Sequence, residues 1–265
     1  MPYPHSWEIP LAPALRLGKR RFWGAGPPNP NFEEVLMEKQ SDLACIPTLG
    51  ENTFRRKALK ILAVSDLVVD RLYSSQITER FRDIEMIIGC GDLPYEYLEF
   101  LVTAMNVPLL YVPGNHDPAY NEKITDAYAQ GCENMDRQVC SVKGLNIAGV
   151  GGSIRYKPGG PNQYTQSQMY TRMSTFIPKL LWYLPKHGKI LDILIAHSPP
   201  RGIHDDDDQA HTGFSAFRDF IQSFKPRYFL HGHTMVYKSN LVPPITKIGT
   251  TTIINVYPYR IIEIE

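Results

Sequence analysis

The sequence has almost no net charge, with 28 lysines and arginines set against 27 aspartates and glutamates in 265 residues. No global field therefore favours nucleic acid, a membrane surface or a strongly charged partner, and binding has to come from local sites. Cysteine is scarce too. The four present, Cys45, Cys90, Cys132 and Cys140, show no C-x-x-C spacing. Nothing at the amino terminus reads as a secretory signal, because its apolar stretch is broken by Pro10 and Pro13. The expectation is a reduced, cytoplasmic protein. No apolar run approaches the roughly 20 residues that a spanning helix needs, so membrane insertion is not expected. Internal repeats and long low-complexity tracts are also missing, and oligomeric state is unreadable.

What is present divides at about residue 57. Residues 1–57 hold eight prolines before position 48, and Arg16, Lys19, Arg20 and Arg21 cluster beside Phe22 and Trp23. Regular structure is sparse there, apart from a helix expected from Asn31 to Leu43. This segment reads as a Pro-rich extension packed on a following domain at 58–265. From Ala58 onward, short β-branched runs alternate with helical stretches, the rhythm of a layered α/β domain. Strands are expected at Leu59 to Val64, Ile84 to Gly89, Leu109 to Val112, Leu145 to Val150, Ile190 to Ala196 and Arg227 to Leu230. Helices fit Glu96 to Met105, Gln166 to Leu184 and Phe214 to Phe224. The tail, Thr246 to Ile264, reads as two strands flanking Tyr257 and Pro258, which suggests antiparallel pairing and a second sheet.

The strand ends carry the chemistry. Ser65-Asp66, Gly91-Asp92, Gly114-Asn115-His116-Asp117, His197-Ser198 and His231-Gly232-His233 each place an Asp, Asn or His directly after a predicted buried strand. Side chains at neighbouring strand ends converge on one rim of a sheet, where loops carry functional groups on a rigid scaffold. Any one of these has a bland explanation as a turn former or a structural histidine. Five in this order are far more specific.

Together they resemble the calcineurin-like metallophosphoesterase superfamily, whose signature runs D-x-H, G-D, G-N-H-D, H and G-H-x-H. The resemblance covers about residues 59–264, and GNHD at 114–117 is its most specific piece. The loops GGSIRY and PPRGIHDDDDQAH are similar to those of uncharacterised bacterial members. The resemblance implies a four-layer αββα sandwich, two mixed β-sheets face to face with helices outside and the site at one edge. It further implies that Asp92 bridges two divalent metals and that Asn115, His197 and His233 complete one of the sites. Oxygen and imidazole donors suit Mn, Fe or Zn. His116 matches the residue that protonates the leaving alkoxide or binds phosphate, with Asp117 expected to hold its imidazole.

The second metal site departs from the signature. Asp66-Leu67-Val68 and Gly232-His233-Thr234-Met235 each lack the outer histidine, and neither Val nor Met is a good ligand for such ions. Asp66 remains as a ligand or as a nearby acceptor, and one tightly bound metal is expected, with a second open. His231 could face the same side as His233 in an extended strand and, with Asp70, His204, Asp205 to Asp208 and His211, could supply replacement ligands or substrate contacts. Arg155 and Arg201 are candidates to grip phosphate bidentately. Cys90 is more simply a small buried residue than a soft ligand. The leading expectation is hydrolysis of a phosphomonoester or phosphodiester, on a small-molecule or nucleotide-like substrate. Its rival is a binding or scaffold protein that keeps the fold and one metal without useful turnover.

Overall fold

The computed structural model describes residues 58–119, 121, 127–186, 191–235 and 243–265. The chain divides into two units, Met1–Arg55 and Arg56–Glu265. The expected extension at 1–57 and its helix at Asn31 to Leu43 lie outside the described residues.

The first strand, β1 (Leu59–Val64), runs parallel to β2 (Met86–Gly89), which is followed by β3 (Leu109–Tyr111) and the short β4 (Glu133–Asn134). The last strand of the chain, β13 (Tyr259–Ile264), closes the outer side of β1 in antiparallel register, Leu59 opposite Ile264. This makes a mixed sheet of order β13-β1-β2-β3-β4. A second mixed sheet has the order β11-β12-β10-β9-β6-β5. Its strands are β5 (Gln138–Val142), β6 (Leu145–Val150), β9 (Ile193–Ala196), β10 (Tyr228–His231), β11 (Ile245–Ile248) and β12 (Thr251–Asn255). Two short strands, β7 (Ser153–Ile154) and β8 (Gln163–Tyr164), pair separately.

Alternation along the strands builds the layers, because successive side chains point to opposite faces. Ile61, Ala63, Met86, Ile88, Leu110 and Val112 of the first sheet meet Ile147, Ile193, Ile195, Leu230 and Ile254 of the second in one buried cluster. The intervening residues point outward to helices. Leu62, Val64, Ile87, Leu109 and Tyr111 pack with α1 (Ile77–Arg80) and α2 (Tyr95–Met105) through Ile77, Tyr97, Leu98 and Leu101. On the other side Ala148, Val150, Leu194, Ala196 and Phe229 pack with α3 (Gln166–Tyr183) and α4 (Ser215–Phe224). The result is the expected four-layer sandwich.

The helices follow from local signals. Helix α3 opens with a capping box in which Thr165 accepts from the Gln168 backbone and Gln168 answers the Thr165 N–H. Its buried residues Met169, Met173, Phe176 and Leu180 fall at helical spacing on one face. Each such fully buried large apolar side chain contributes about 1.5–3 kcal/mol. Helix α2 ends at Asn106, in the left-handed region at φ 53°, where Asn is one of the tolerated residues.

The tail corrects the sequence expectation. The strands on either side of Tyr257 and Pro258 do not pair with each other: β12 runs parallel to β10 in one sheet, and β13 pairs with β1 in the other. The antiparallel partner of β12 is β11, which begins the tail as a third strand. No helix of the described residues is long and apolar enough to cross a membrane.

Candidate metal centre

Strands β1, β2 and β3 run in one direction in the first sheet, as β9 and β10 do in the second. Their carboxyl ends deliver Asp66, Asp92, Asn115, His197 and His233 to a common edge. One potential ligand atom from each of Asp66, Asp92, His197 and His233 lies within 4.8 Å of all the others. Asn115 joins them, with Oδ1 3.1 Å from His197 Nε2.

The backbone is bent to make this meeting. Asp66, Asp92 and His233 all have positive φ, at 62°, 56° and 67°, a region that costs a non-glycine residue about 1–3 kcal/mol. Tertiary hydrogen bonds hold them there. Asp66 N–H donates to Gly91 O at 3.1 Å, Asp92 N–H to Asp117 Oδ2 at 2.9 Å and His233 N–H to Asp66 Oδ2 at 2.9 Å. Glycine is required where these turns touch: a Cβ on Gly114 would overlap the Asp92 carboxylate, and one on Gly232 would overlap Ser65 and Asp66.

The orientation of each donor is set from behind. His197 is fully buried and donates Nδ1–H to Cys90 O at 2.7 Å, which leaves the Nε2 lone pair facing inward. His233 donates Nε2–H to Ala210 O at 2.8 Å, so Nδ1 is its inward nitrogen. Asn115 donates Nδ2–H to Tyr156 Oη at 3.2 Å, turning Oδ1 toward the cluster. Asp92 accepts the His116 N–H on Oδ1 at 2.7 Å and presents Oδ2 to His197 Nε2 at 3.3 Å. Lone pairs of a carboxylate, an amide and an imidazole thus converge with no proton between them unless His197 is charged.

Electrostatics give the same reading. Burial alone would depress His197, but the Asp92 carboxylate beside it overcomes this and pushes it up to about 10. Burial raises Asp92, yet His197 and His116 bring it down to about 2. The buried Asp92 carboxylate is thus favoured by an adjacent positive charge, which a proton on His197 or a divalent cation can supply. These donors fit such a cation. Asp66 is lifted to about 6, by burial first and by the Asp92 charge, against the opposing pull of His197.

Several expected roles change. Asp117 does not serve His116: its Oδ2 accepts N–H from Gly114 at 2.7 Å and from Asp92, knitting two ligand loops together. His116 is exposed, with Nε2 3.9 Å from Asp92 Oδ2. His231 is not brought to the cluster, because positive φ at His233 breaks the extended geometry that would have aligned the two. Instead its Nδ1 donates to Gly232 O and its Nε2 accepts from His204 Nδ1 at 2.9 Å, while His204 Nε2 accepts from Thr246 Oγ1 at 2.8 Å. Asp70 is exposed and outside the cluster. Arg155 is held by Gln163 O and Gln168 Oε1, at 3.3 and 2.9 Å, and Arg201 is exposed. Cys90 is buried in the layer between the sheets, and its carbonyl, not its thiol, serves the site.

Val68, at the first missing histidine, packs against the helix-side layer of the first sheet. One feature escaped the sequence reading. Tyr156 touches Asn115, for which its place in the GGSIRY segment was the one available signal. His211, a candidate from the sequence, has Nδ1 held by Asp208 at 2.7 Å and its ring centroid 5.1 Å from that of His233, tilted by 40°. Asp206, Asp208 and His211 form a second close group of potential ligands.

Comparison with known proteins agrees with this architecture. An uncharacterized protein of Methanocaldococcus jannaschii, MJ1162, is 27% identical over 214 residues, covering 76% of this chain and 89% of that protein. One crystal structure overlays with a TM-score of 0.58 at 15% identity, covering 78% of this chain and 95% of that one. TT1561 of Thermus thermophilus overlays with a TM-score of 0.52 at 18% identity, covering 76% and 89%. These overlays bear on the fold. The model of the calcineurin-like phosphoesterase family matches residues 59–237, from β1 through the strand end bearing His233, and the chain belongs to that family.

Proposed function

We propose that this protein is a metal-dependent phosphoesterase that hydrolyses a phosphomonoester or phosphodiester with one of the two family metal sites degraded. The observation that carries the reading is the convergence of Asp92 Oδ2, Asn115 Oδ1 and His197 Nε2 beside Asp66 and His233. Asp92, Asn115, His197 and His233 would hold one ion, with Mn, Fe or Zn suited to this donor set. A divalent cation held there supplies Lewis acidity, acidifying water and neutralising phosphoryl charge. The chain's own residues do the rest. Backbone bonds to Asp117 keep the Asp92 and Asn115 loops in register, and the Cys90 carbonyl keeps His197 in its ligating tautomer. His116, exposed with Nε2 3.9 Å from Asp92 Oδ2, would give a proton to the departing alkoxide.

The rival is a binding protein that retains the fold and one ion without turnover. It is favoured by the packing of Val68 into the apolar layer, which removes a ligand position altogether. Metal content per chain, measured beside hydrolysis of an activated aryl phosphodiester and monoester, separates the two. Wild type should hold metal and turn over at least one ester, and His197→Ala should lose both. Equal metal content in wild type and His197→Ala would overturn the ligand assignment, and metal without any turnover would favour the binding protein.

A further inference from the structure

We infer that the hydroxyl of Tyr156 binds a phosphoryl oxygen of the substrate, an assignment that rests on the phosphoesterase reading and names a substrate contact within it. Tyr156 follows β7 in the loop that returns through β8, and that loop is stitched to the ligand loops at several points. Asn162 Nδ2 donates to Gly114 O at 2.9 Å and to Asp117 O at 3.1 Å, and Gly152 N–H donates to Pro113 O at 2.8 Å. Gln163 Oε1 accepts from the backbone N–H of Tyr156 and of Lys157, at 3.4 and 3.1 Å. The loop therefore moves with the Asn115 turn and not independently of it.

Within this frame Tyr156 Oη accepts a hydrogen bond from Asn115 Nδ2. A phenolic oxygen that accepts still has its own proton to donate. Acceptance also polarises the O–H, strengthening it as a donor. The ring is half-buried at the rim, beside the exposed Lys157. Because Asn115 turns Oδ1 inward, Tyr156 is one amide's width from the cation pocket, where the phosphoryl group of an ester has to sit. Arg155, the obvious phosphate ligand by sequence, is turned by its Nη2 toward Gln163 O and Gln168 Oε1, whereas the Tyr156 hydroxyl is bonded directly to the ligand-bearing Asn115. The contact concerns the phosphoryl group and is common to monoesters and diesters.

The test uses the Mn²⁺-loaded full chain and inorganic phosphate as probe, with metal content measured in parallel. Tyr156→Phe removes only the hydroxyl and keeps the half-buried ring. It should weaken phosphate binding about tenfold, equivalent to about 1.4 kcal/mol, and raise KM for an aryl phosphate, at unchanged metal content. Loss of metal in Tyr156→Phe would overturn the inference, since the hydroxyl would then act only by orienting Asn115. Unchanged phosphate affinity would overturn it as well. Failure of the underlying reading looks different: wild type itself would hold metal yet bind no phosphate and hydrolyse no ester.

Discussion

His204 Nδ1 lies 2.9 Å from His231 Nε2, and both imidazoles are buried immediately behind the strand end that carries His233. The tautomers follow from the partners. His231 donates from Nδ1 to Gly232 O, so its Nε2 has to accept from His204, whose own Nε2 accepts from Thr246. His231 has to stay neutral to accept from His204, while a proton added to His204 would reverse the Thr246 bond and place a charge in the buried pair. Burial, reinforced by Arg260 and opposed by Asp205, holds His204 down to about 4, and burial with His204 nearby keeps His231 well below its ordinary value.

A pH dependence follows, with a definite sign. A histidine whose folded pKa is depressed binds fewer protons folded than unfolded, so its contribution is present above the ordinary value of 6.5 and is lost as pH falls toward about 4. Asp66 and Asp117, both raised in the folded chain, act in the opposite direction. Comparison with a variant isolates His204. The stability advantage of wild type over His204→Gln, measured by urea unfolding, should shrink by about 2–3 kcal/mol between pH 7 and pH 4. A gap that stays constant with pH would mean that His204 is not buried neutral.

The second prediction concerns Asp117. Its Oδ2 receives the N–H groups of Asp92 and Gly114, and its carboxyl is raised to about 7 by burial, then by the Asp92 charge, despite those two donors. Asp117→Ala leaves both buried donors unmatched, which costs about 1–3 kcal/mol each. It should also weaken metal binding, because Asp92 and Asn115 lose their common tether. Asp117→Asn keeps an acceptor oxygen and should be much milder. Thermal unfolding with and without Mn²⁺ distinguishes these outcomes, and equal effects of the two substitutions would show that the carboxylate charge matters more than its hydrogen bonds.

Much of this arrangement was legible before the fold was known. Strands β1 and β6 begin and end where their apolar runs do, with β6 buried throughout and β1 buried from Ile61 to Val64. The candidate ligands could be picked out because each follows such a strand, and four of them meet in one cluster. What escaped is governed by distant partners. Edge strand β5 alternates weakly between exposed and buried positions, and β4, β7 and β8 are two residues each, too short to show a period. Periodicity could not say that β12 and β13 enter different sheets. Spacing could not say that Asp117 would turn to backbone N–H groups and not to His116, nor that a left-handed turn at His233 would separate it from His231.

A third prediction weighs the two missing histidines. On the sequence alone, Val68→His with Met235→His would be expected to rebuild the second metal site, each change needing the other. The packing argues otherwise. Val68 is partly buried against the helix-side apolar layer of the first sheet, so an imidazole there replaces an apolar contact and has to leave that layer to reach a metal. Val68→His should destabilise the chain by about 1–3 kcal/mol. The double variant should bind no more metal than wild type, as read by elemental analysis. A gain of one ion per chain, larger in the double variant than the sum of the singles, would show that the loop adapts.

The final prediction addresses His116, the member of GNHD whose side chain faces solvent. Its backbone N–H does structural work, donating to Asp92 Oδ1 at 2.7 Å, and any residue except proline can supply that bond. The imidazole is separate: its side chain is 58% exposed, and Nε2 stands 3.9 Å from Asp92 Oδ2, beyond a hydrogen bond and on the solvent side of the pocket. Removing it should therefore leave stability and metal content close to wild type, while its positioned proton is worth about 10²–10⁴-fold in rate. His116→Ala should thus lower kcat by at least about a hundredfold for an ester with a poor leaving group. An activated aryl ester, whose leaving group departs without a proton, should be far less affected. That contrast separates proton donation from charge alone, since a purely electrostatic imidazolium would aid both substrates alike. Equal losses on the two esters would place His116 in phosphate binding and not in leaving-group protonation.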